Sequence, residues 1–307
     1  MLPVRILNFD DSLLRQDRLI KQFSPALTDL CEFAPLCRQS MNGNTARSLK
    51  SKLDPALKSA ITFLGSGDFH HISSLLLEQF EEPISLIVFD HHPDWDIMPP
   101  KYGCGSWVTR ALRMPNLKKA VLLGISSQDI STFAIQTGNL SALKNDRVEI
   151  YPYQHAPTRV ALKKIADNRS IAVKRGFFVS EINWLELKDQ DLAGFMSLLI
   201  GRIPTKRIYI SIDKDCLSSE FALTNWEEGR FKLDELLFLL KCLKDNFSLA
   251  GVDITGEYSP ARKIQGWIKA KFSALDHPKD YTARNRPQAE IDGINECTNI
   301  RILEVLA

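Results

Sequence analysis

The stretch Ile87-Val88-Phe89-Asp90-His91-His92-Pro93-Asp94-Trp95-Asp96 decides how the rest of the chain is read. An apolar strand, Leu86 to Phe89, runs directly into carboxylates and imidazoles. In extended backbone alternate residues share a face, so Asp90, His92 and Asp94 are expected on one side. Two oxygen donors and one nitrogen donor on one face suit a divalent cation of the manganese, iron or zinc type.

Two more strand ends repeat this chemistry. Ala60 to Leu64 is apolar and breaks into Gly65-Ser66-Gly67-Asp68-Phe69-His70-His71. Arg207 to Ile212 is β-branched and aromatic and ends in Asp213-Lys214-Asp215, whose aspartates, at i and i+2, again point the same way. A carboxylate at a strand end often only caps the next helix, and that reading stays open for Asp68. Caps do not account for three clusters of ligand-type residues. Four aspartates converging in one crevice repel one another unless cations neutralise them, and a pair of divalent ions would do so.

Working outward, strands and helices alternate. Val4 to Phe9 reads as a strand, with Ser12 capping a helix through Ile20. Leu49–Lys58, Ile72–Phe80, Trp107–Leu112, Ser131–Leu143, Arg159–Ala166, Asp189–Ile200 and Leu233–Phe247 are helix candidates. Ala120–Ile125, Val148–Tyr153 and Leu249–Ile254 are strand candidates, and Asp276 to Asn295 reads as a polar, loop-like tail before an apolar element from Ile300 to Leu306. Strands that are continuous apolar runs are those of a parallel sheet covered on both faces. No repeat or linker divides the chain, so one α/β domain over residues 1–307 is expected.

Composition narrows the class. The 307 residues are 44% hydrophobic and 25% charged, with a formal net charge of +2. That balance offers no electrostatic reason for nucleic acid or membrane as a partner; the pairs Lys163-Lys164 and Lys174-Arg175 read as solvated surface. The six cysteines form no CxxC pair, which favours reduced thiols and a cytoplasmic setting. The N-terminus lacks a signal-peptide pattern, and no apolar run approaches the ~20 residues that span a bilayer.

These motifs resemble the ureohydrolase (arginase–agmatinase) family. Its Asp-Ala-His-x-Asp motif resembles Asp90-His91-His92-Pro93-Asp94, and its Ser-Phe-Asp-x-Asp motif resembles Ser211-Ile212-Asp213-Lys214-Asp215. Its Gly-Gly-Asp-His-Ser motif is similar to Gly65 through His71 with one extra residue, and its Leu-Asp-x-x-Glu-x-x-Pro segment to Val252 through Pro260, also one residue longer. Order and approximate separation match from about Ala60 to Pro260. The resemblance implies a three-layer α/β/α fold with a mostly parallel sheet and a binuclear Mn²⁺ centre, two ions per chain. The implied ligands are Asp90, His92, Asp94, Asp213, Asp215 and His70, with His71 as the alternative to His70. The implied reaction is hydrolysis of a linear C–N bond in a guanidino compound by hydroxide between the metals, with Asp94 orienting the nucleophile and Glu257 holding the guanidinium. Homo-oligomers are common in the family.

Two positions depart from the pattern. Cys104 stands where the family has a proton-shuttling histidine, implying a changed proton route or a thiol in the pocket wall; the alternative is a loop cysteine without chemistry. Asp96 stands where arginases carry a neutral residue that meets the substrate's carboxylate. A carboxylate there repels an amino-acid tail and attracts an ammonium, so the small-molecule substrate is expected to be cationic and not arginine. A divergent metal-binding protein without ureohydrolase activity, or one that hydrolyses another amide or amidine, is the competing expectation.

Overall fold

The computed structural model describes residues 2–161, 165–260 and 283–306. Thirteen strands occur among them: β1 (Val4–Asn8), β2 (Ala26–Asp29), β3 (Ser40–Met41), β4 (Ile61–Gly65), β5 (Ile84–Phe89), β6 (Tyr102–Gly103), β7 (Leu117–Leu123), β8 (Val148–Tyr151), β9 (Thr158–Ala161), β10 (Ile171–Lys174), β11 (Val179–Trp184), β12 (Arg207–Asp213) and β13 (Ser248–Thr255). Eight form one sheet in the order β2-β1-β4-β13-β12-β5-β7-β8. Every pairing in it is parallel. Strands β9–β11 make a separate antiparallel sheet and β3 pairs with β6.

Alternation explains why the central strands read as unbroken apolar runs. Leu86 and Val88 of β5 enter one hydrophobic core with Leu122, Trp95 and Trp107. Ile87 and Phe89 enter another with Ile210, Ile212, Leu236 and Leu303. Both faces are covered, as a parallel sheet requires. The second face carries α7 (Leu192–Ile200), α8 (Leu233–Asn246) and the last helix, α9 (Gln288–Leu306). The earlier helices are short: α1 (Asp17–Phe23), α2 (Ala34–Cys37), α3 (Gly43–Lys50), α4 (Ser73–Leu77), α5 (Trp107–Ala111) and α6 (Leu140–Lys144). A three-layer α/β/α arrangement is thus the observed architecture.

Several expected elements differ. Ser12 caps no helix; its hydroxyl donates to Asp10 Oδ1 at 2.6 Å, and α1 starts later, at Asp17. The helix expected over Leu49–Lys58 lies earlier, as α3, because Asn42 accepts from the amides of Asn44 and Thr45. Ser131–Leu143 is not one helix: two short 3₁₀ turns precede α6, and Gly138 lies where a Cβ would stand 2.5 Å from the Trp95 ring. The helix expected over Arg159–Ala166 begins as strand β9; residues 162–164, including Lys163-Lys164, lie outside the described residues. So does the tail from Asp276 to 282, while Gln288 onward is helical instead of loop-like.

Candidate metal centre

The clusters gather at the carboxyl ends of β4, β5 and β12, where ligands bind in open α/β sheets. The Gly-rich turn after β4 begins at Gly65 (φ +82°), where a Cβ would stand 2.7 Å from Asp10 Oδ1, a backbone region open to glycine. A 3₁₀ segment from Gly67 to Ile72 then carries His70 into the centre, its side chain 1% exposed. His70 Nδ1 lies 3.2 Å from Asp90 Oδ2, 3.3 Å from Asp94 Oδ2 and 3.5 Å from Asp213 Oδ2. Of the two candidate histidines, His70 faces the carboxylates, whereas His71 Nδ1 meets the thiol of Cys104 at 3.4 Å.

Asp90, His92 and Asp94 do converge, but not by strand alternation. Strand β5 ends at Phe89, and Asp94 adopts left-handed backbone (φ +46°), which aspartate tolerates better than most residues. Trp107 Nε1 donates to Asp94 Oδ2 at 2.7 Å. His92 Nδ1 lies 3.0 Å from Asp215 Oδ2 and 3.7 Å from Asp90 Oδ1, and its Nε2 lies 3.4 Å from Glu227 Oε2. Two three-residue groups could each hold an ion, His70–Asp90–Asp94 and Asp90–His92–Asp215; Asp90 belongs to both. Asp213 stands beside them, its Oδ1 accepting from the Asp215 amide at 3.1 Å.

The electrostatics call for positive charge here. Burial alone disfavours a charged His70 and His92, yet their carboxylate neighbours carry both well above the ordinary imidazole range. Burial and Asp90 push Asp94 up to about 7 and Asp215 up to about 6. His70 Nδ1 and Asp90 Oδ2, both buried, face each other without a hydrogen-bond partner. His70 Nε2 meets Ser211 Oγ at 2.8 Å, and Ser211 Oγ donates to Asp253 Oδ1 at 2.6 Å. With that hydroxyl proton given to Asp253, Ser211 accepts from Nε2–H, and Nδ1 is the ring nitrogen that faces the carboxylates. A cation in place of the Nδ1 proton would meet one nitrogen among carboxylate oxygens, and such a donor set suits manganese, iron or zinc.

No family model matches the chain. A Thermotoga maritima protein described as uncharacterized is 27% identical over 218 residues, 70% of this chain and 66% of that protein, just under two thirds of its length. Among solved structures, arginase from Bacillus subtilis superposes with a TM-score of 0.56 at 11% identity, over 99% of this chain and 98% of that one. Arginase from Bacillus caldovelox gives 0.53 at 12% identity, over 86% and 94%. A hypothetical agmatinase from Burkholderia thailandensis gives 0.52 at 15%, over 92% and 69%. The chain has the ureohydrolase fold, in a divergent form.

Within this ureohydrolase fold the remaining expected residues sit as follows. Cys104 Sγ approaches the carbonyls of Gly67 and Asp68 at 3.5 and 3.3 Å, and burial with the Asp94 and Asp68 carboxylates pushes its thiol well above the usual range. Asp96 is half-buried; its Oδ1 accepts from Thr137 Oγ1 at 2.9 Å. Glu257 is buried, and neither oxygen is open: Oε1 is paired with the Lys214 ammonium and accepts from Asn299 at 2.7 Å, and Oε2 accepts from Gln16 at 2.9 Å. Ser211, Lys214 and Asp253 stand in the sequence motifs without a role of their own, and Gln16, Asn299 and Glu227 lie outside those motifs. One of them left a signal: Lys214 is a charged residue between two aspartates, on a strand end buried on both faces.

Proposed function

We propose that this protein is a metal-dependent hydrolase that splits a linear C–N bond in a small molecule. The observation that carries the reading is the pair of three-donor groups sharing Asp90 at the carboxyl ends of parallel strands. His70, Asp90 and Asp94 would hold one ion and Asp90, His92 and Asp215 a second, with Asp213 beside both; Mn²⁺ is the ion proposed. Bound there, two divalent cations supply Lewis-acid activation of water near neutral pH.

The protein groups do the rest. Asp94, fixed by Trp107 and facing His70, orients the attacking water and takes its proton. Ser211 and Asp253 hold the His70 ring in the orientation a ligand needs. Cys104 contributes a protonated thiol to the wall in place of a shuttling imidazole. Asp96 and Glu227 put negative charge on the exposed side, which suits an ammonium at the far end of a substrate. The resemblance points to a guanidino compound, agmatine-like and not arginine, as the first class to test. The alternative, a metal-binding member that hydrolyses some other amide or amidine, is favoured by the pairing of Glu257 with Lys214.

The experiment is to load the protein with Mn²⁺, count metal per chain, and screen guanidino, formimino and N-acyl amines for release of urea, formamide or acid. Two ions per chain with turnover of one class is the expected result. A chain that binds no divalent metal overturns the reading.

A further inference from the structure

We infer that the bond broken at this site belongs to an uncharged carboxamide, because Lys214 already occupies Glu257, the carboxylate a guanidinium cation would have needed. The inference rests on the hydrolase reading and sharpens it. Lys214 lies between Asp213 and Asp215, and its side chain is fully buried against Glu257, itself 3% exposed. In the sheet Asp213 pairs with Thr255, two residues before Glu257. Between them Gly256 (φ +88°) crosses so close that a Cβ would stand 2.5 Å from Asp213 Oδ1 and 2.6 Å from the Lys214 amide nitrogen. Glu257 therefore belongs to the same strand-end surface as the candidate ligands, and it is closed from within. Asn299 of α9 also bridges Gln16 and Glu257, donating to Gln16 Oε1 at 2.8 Å.

The other deep carboxylates near these strand ends are also engaged, one by a cation and two by hydroxyl or amide donors. Asp68 pairs with the buried guanidinium of Arg38, Asp253 Oδ1 accepts from Ser211, and Asp10 at the end of β1 accepts from the Ser12 hydroxyl and from the Ser12 and Ser66 amides. The four remaining aspartates, Asp90, Asp94, Asp213 and Asp215, are the candidate ligands, and a divalent pair would neutralise them. Each deep carboxylate near these strand ends is then engaged by a cation, by hydroxyl or amide donors, or as a candidate ligand, and the Lys214 ammonium repels a fixed positive charge. Negative charge with solvent access remains only farther out, as in Glu227, whose side chain is 46% exposed beside His92. The fitting substrate has a neutral acyl–nitrogen bond inside and an amine outside: an N-acylated diamine or polyamine.

The reaction balances with water alone. The water oxygen bonds to the acyl carbon, the C–N bond breaks, and its electron pair stays on nitrogen. One water proton goes to that nitrogen as the bond breaks, and the second, lost by the new carboxylic acid, is taken up by the resulting amine, giving a carboxylate and an ammonium.

The test uses the Mn²⁺-loaded full chain, with metal per chain counted first so that loss of metal binding is seen as failure of the hydrolase reading and of this inference together. Wild-type protein is given N-acetylputrescine and agmatine, and turnover and calorimetric binding are measured for each. At least a hundredfold preference for the amide in kcat/KM is expected, with no saturable agmatine binding. Lys214→Met, which frees Glu257, is expected to gain at least tenfold in agmatine affinity. Preference of the wild type for agmatine overturns the inference and leaves the hydrolase reading standing. So does turnover of neither compound by a metal-loaded protein, or equal agmatine affinity in a folded variant and the wild type. If Lys214→Met does not fold, the wild-type preference decides alone.

Discussion

Ser211 shows how a single hydroxyl can govern the centre. It touches no candidate donor atom of the carboxylates, yet it joins His70 Nε2 to the fully buried Asp253. Removing such outer partners typically weakens metal binding 10–100-fold. Ser211→Ala is therefore expected to lower Mn²⁺ affinity by about that factor while leaving the far-ultraviolet circular dichroism unchanged; equal affinity in the two proteins would show that the ring is oriented by something else. His91 illustrates the opposite kind of residue. Its ring is buried, Nδ1 has no hydrogen-bond partner, and burial with the neighbouring His92 pushes it down to about 3 from 6.5. The unfolded chain then takes up a proton that the native chain refuses between those two values, so stability conferred above pH 6.5 is lost as pH falls through that window. At pH 5 this amounts to about 2 kcal/mol, from ~1.4 kcal/mol per unit. Urea melts of metal-free wild type and His91→Phe at pH 7 and pH 5 should diverge by that amount in the variant's favour; parallel pH slopes would refute it. The residue types of the centre were legible because few structural roles demand Asp, His and Asp in one short run. Lys214 was not read as a partner of Glu257, because the contact depends on how β12 and β13 align, and one inserted residue obscured that alignment.

At the scale of elements, the turn after β13 does the most for the centre. Gly256 has left-handed backbone, and its missing side chain leaves room for Asp213 Oδ1. Gly256→Ala sets the strain of an L-residue in that region against a contact with a buried carboxylate, and costs about 1–3 kcal/mol. It is expected to lower the denaturation midpoint and also to weaken metal binding, since Asp213 must shift; stability loss with unchanged metal affinity would place Asp213 outside the centre. Strands proved easier to read than helices. The buried strands are written as runs such as Ser-Leu-Ile-Val-Phe and Arg-Ile-Tyr-Ile-Ser-Ile-Asp, and burial on both faces leaves no other pattern. Helices failed where a single contact overruled the periodicity, as at Gly138 against Trp95. Strand β9 failed for another reason: its buried and exposed residues alternate, Thr158 and Val160 inside, and over four residues that pattern is hard to separate from a helix start.

For the whole molecule, strand order matters more than strand content. Strands β2, β1 and β4 form one block, β12, β5, β7 and β8 another, and β13 alone joins them. The block containing β4 carries His70; the other carries Asp90, His92, Asp94, Asp213 and Asp215. The alternation of elements made a parallel sheet legible, but no local pattern told that the last strand among the described residues would enter the middle of that sheet, because insertion is a matter of long-range pairing. On the ribosome the consequence is one of timing. Until residues 248–255 emerge, β4 and β12 are two open edges and the imidazole of His70 has no carboxylates to face. Most of the chain must wait, with unpaired edges of the kind that invite wrong partners, for one late strand to bring the two halves of the centre together.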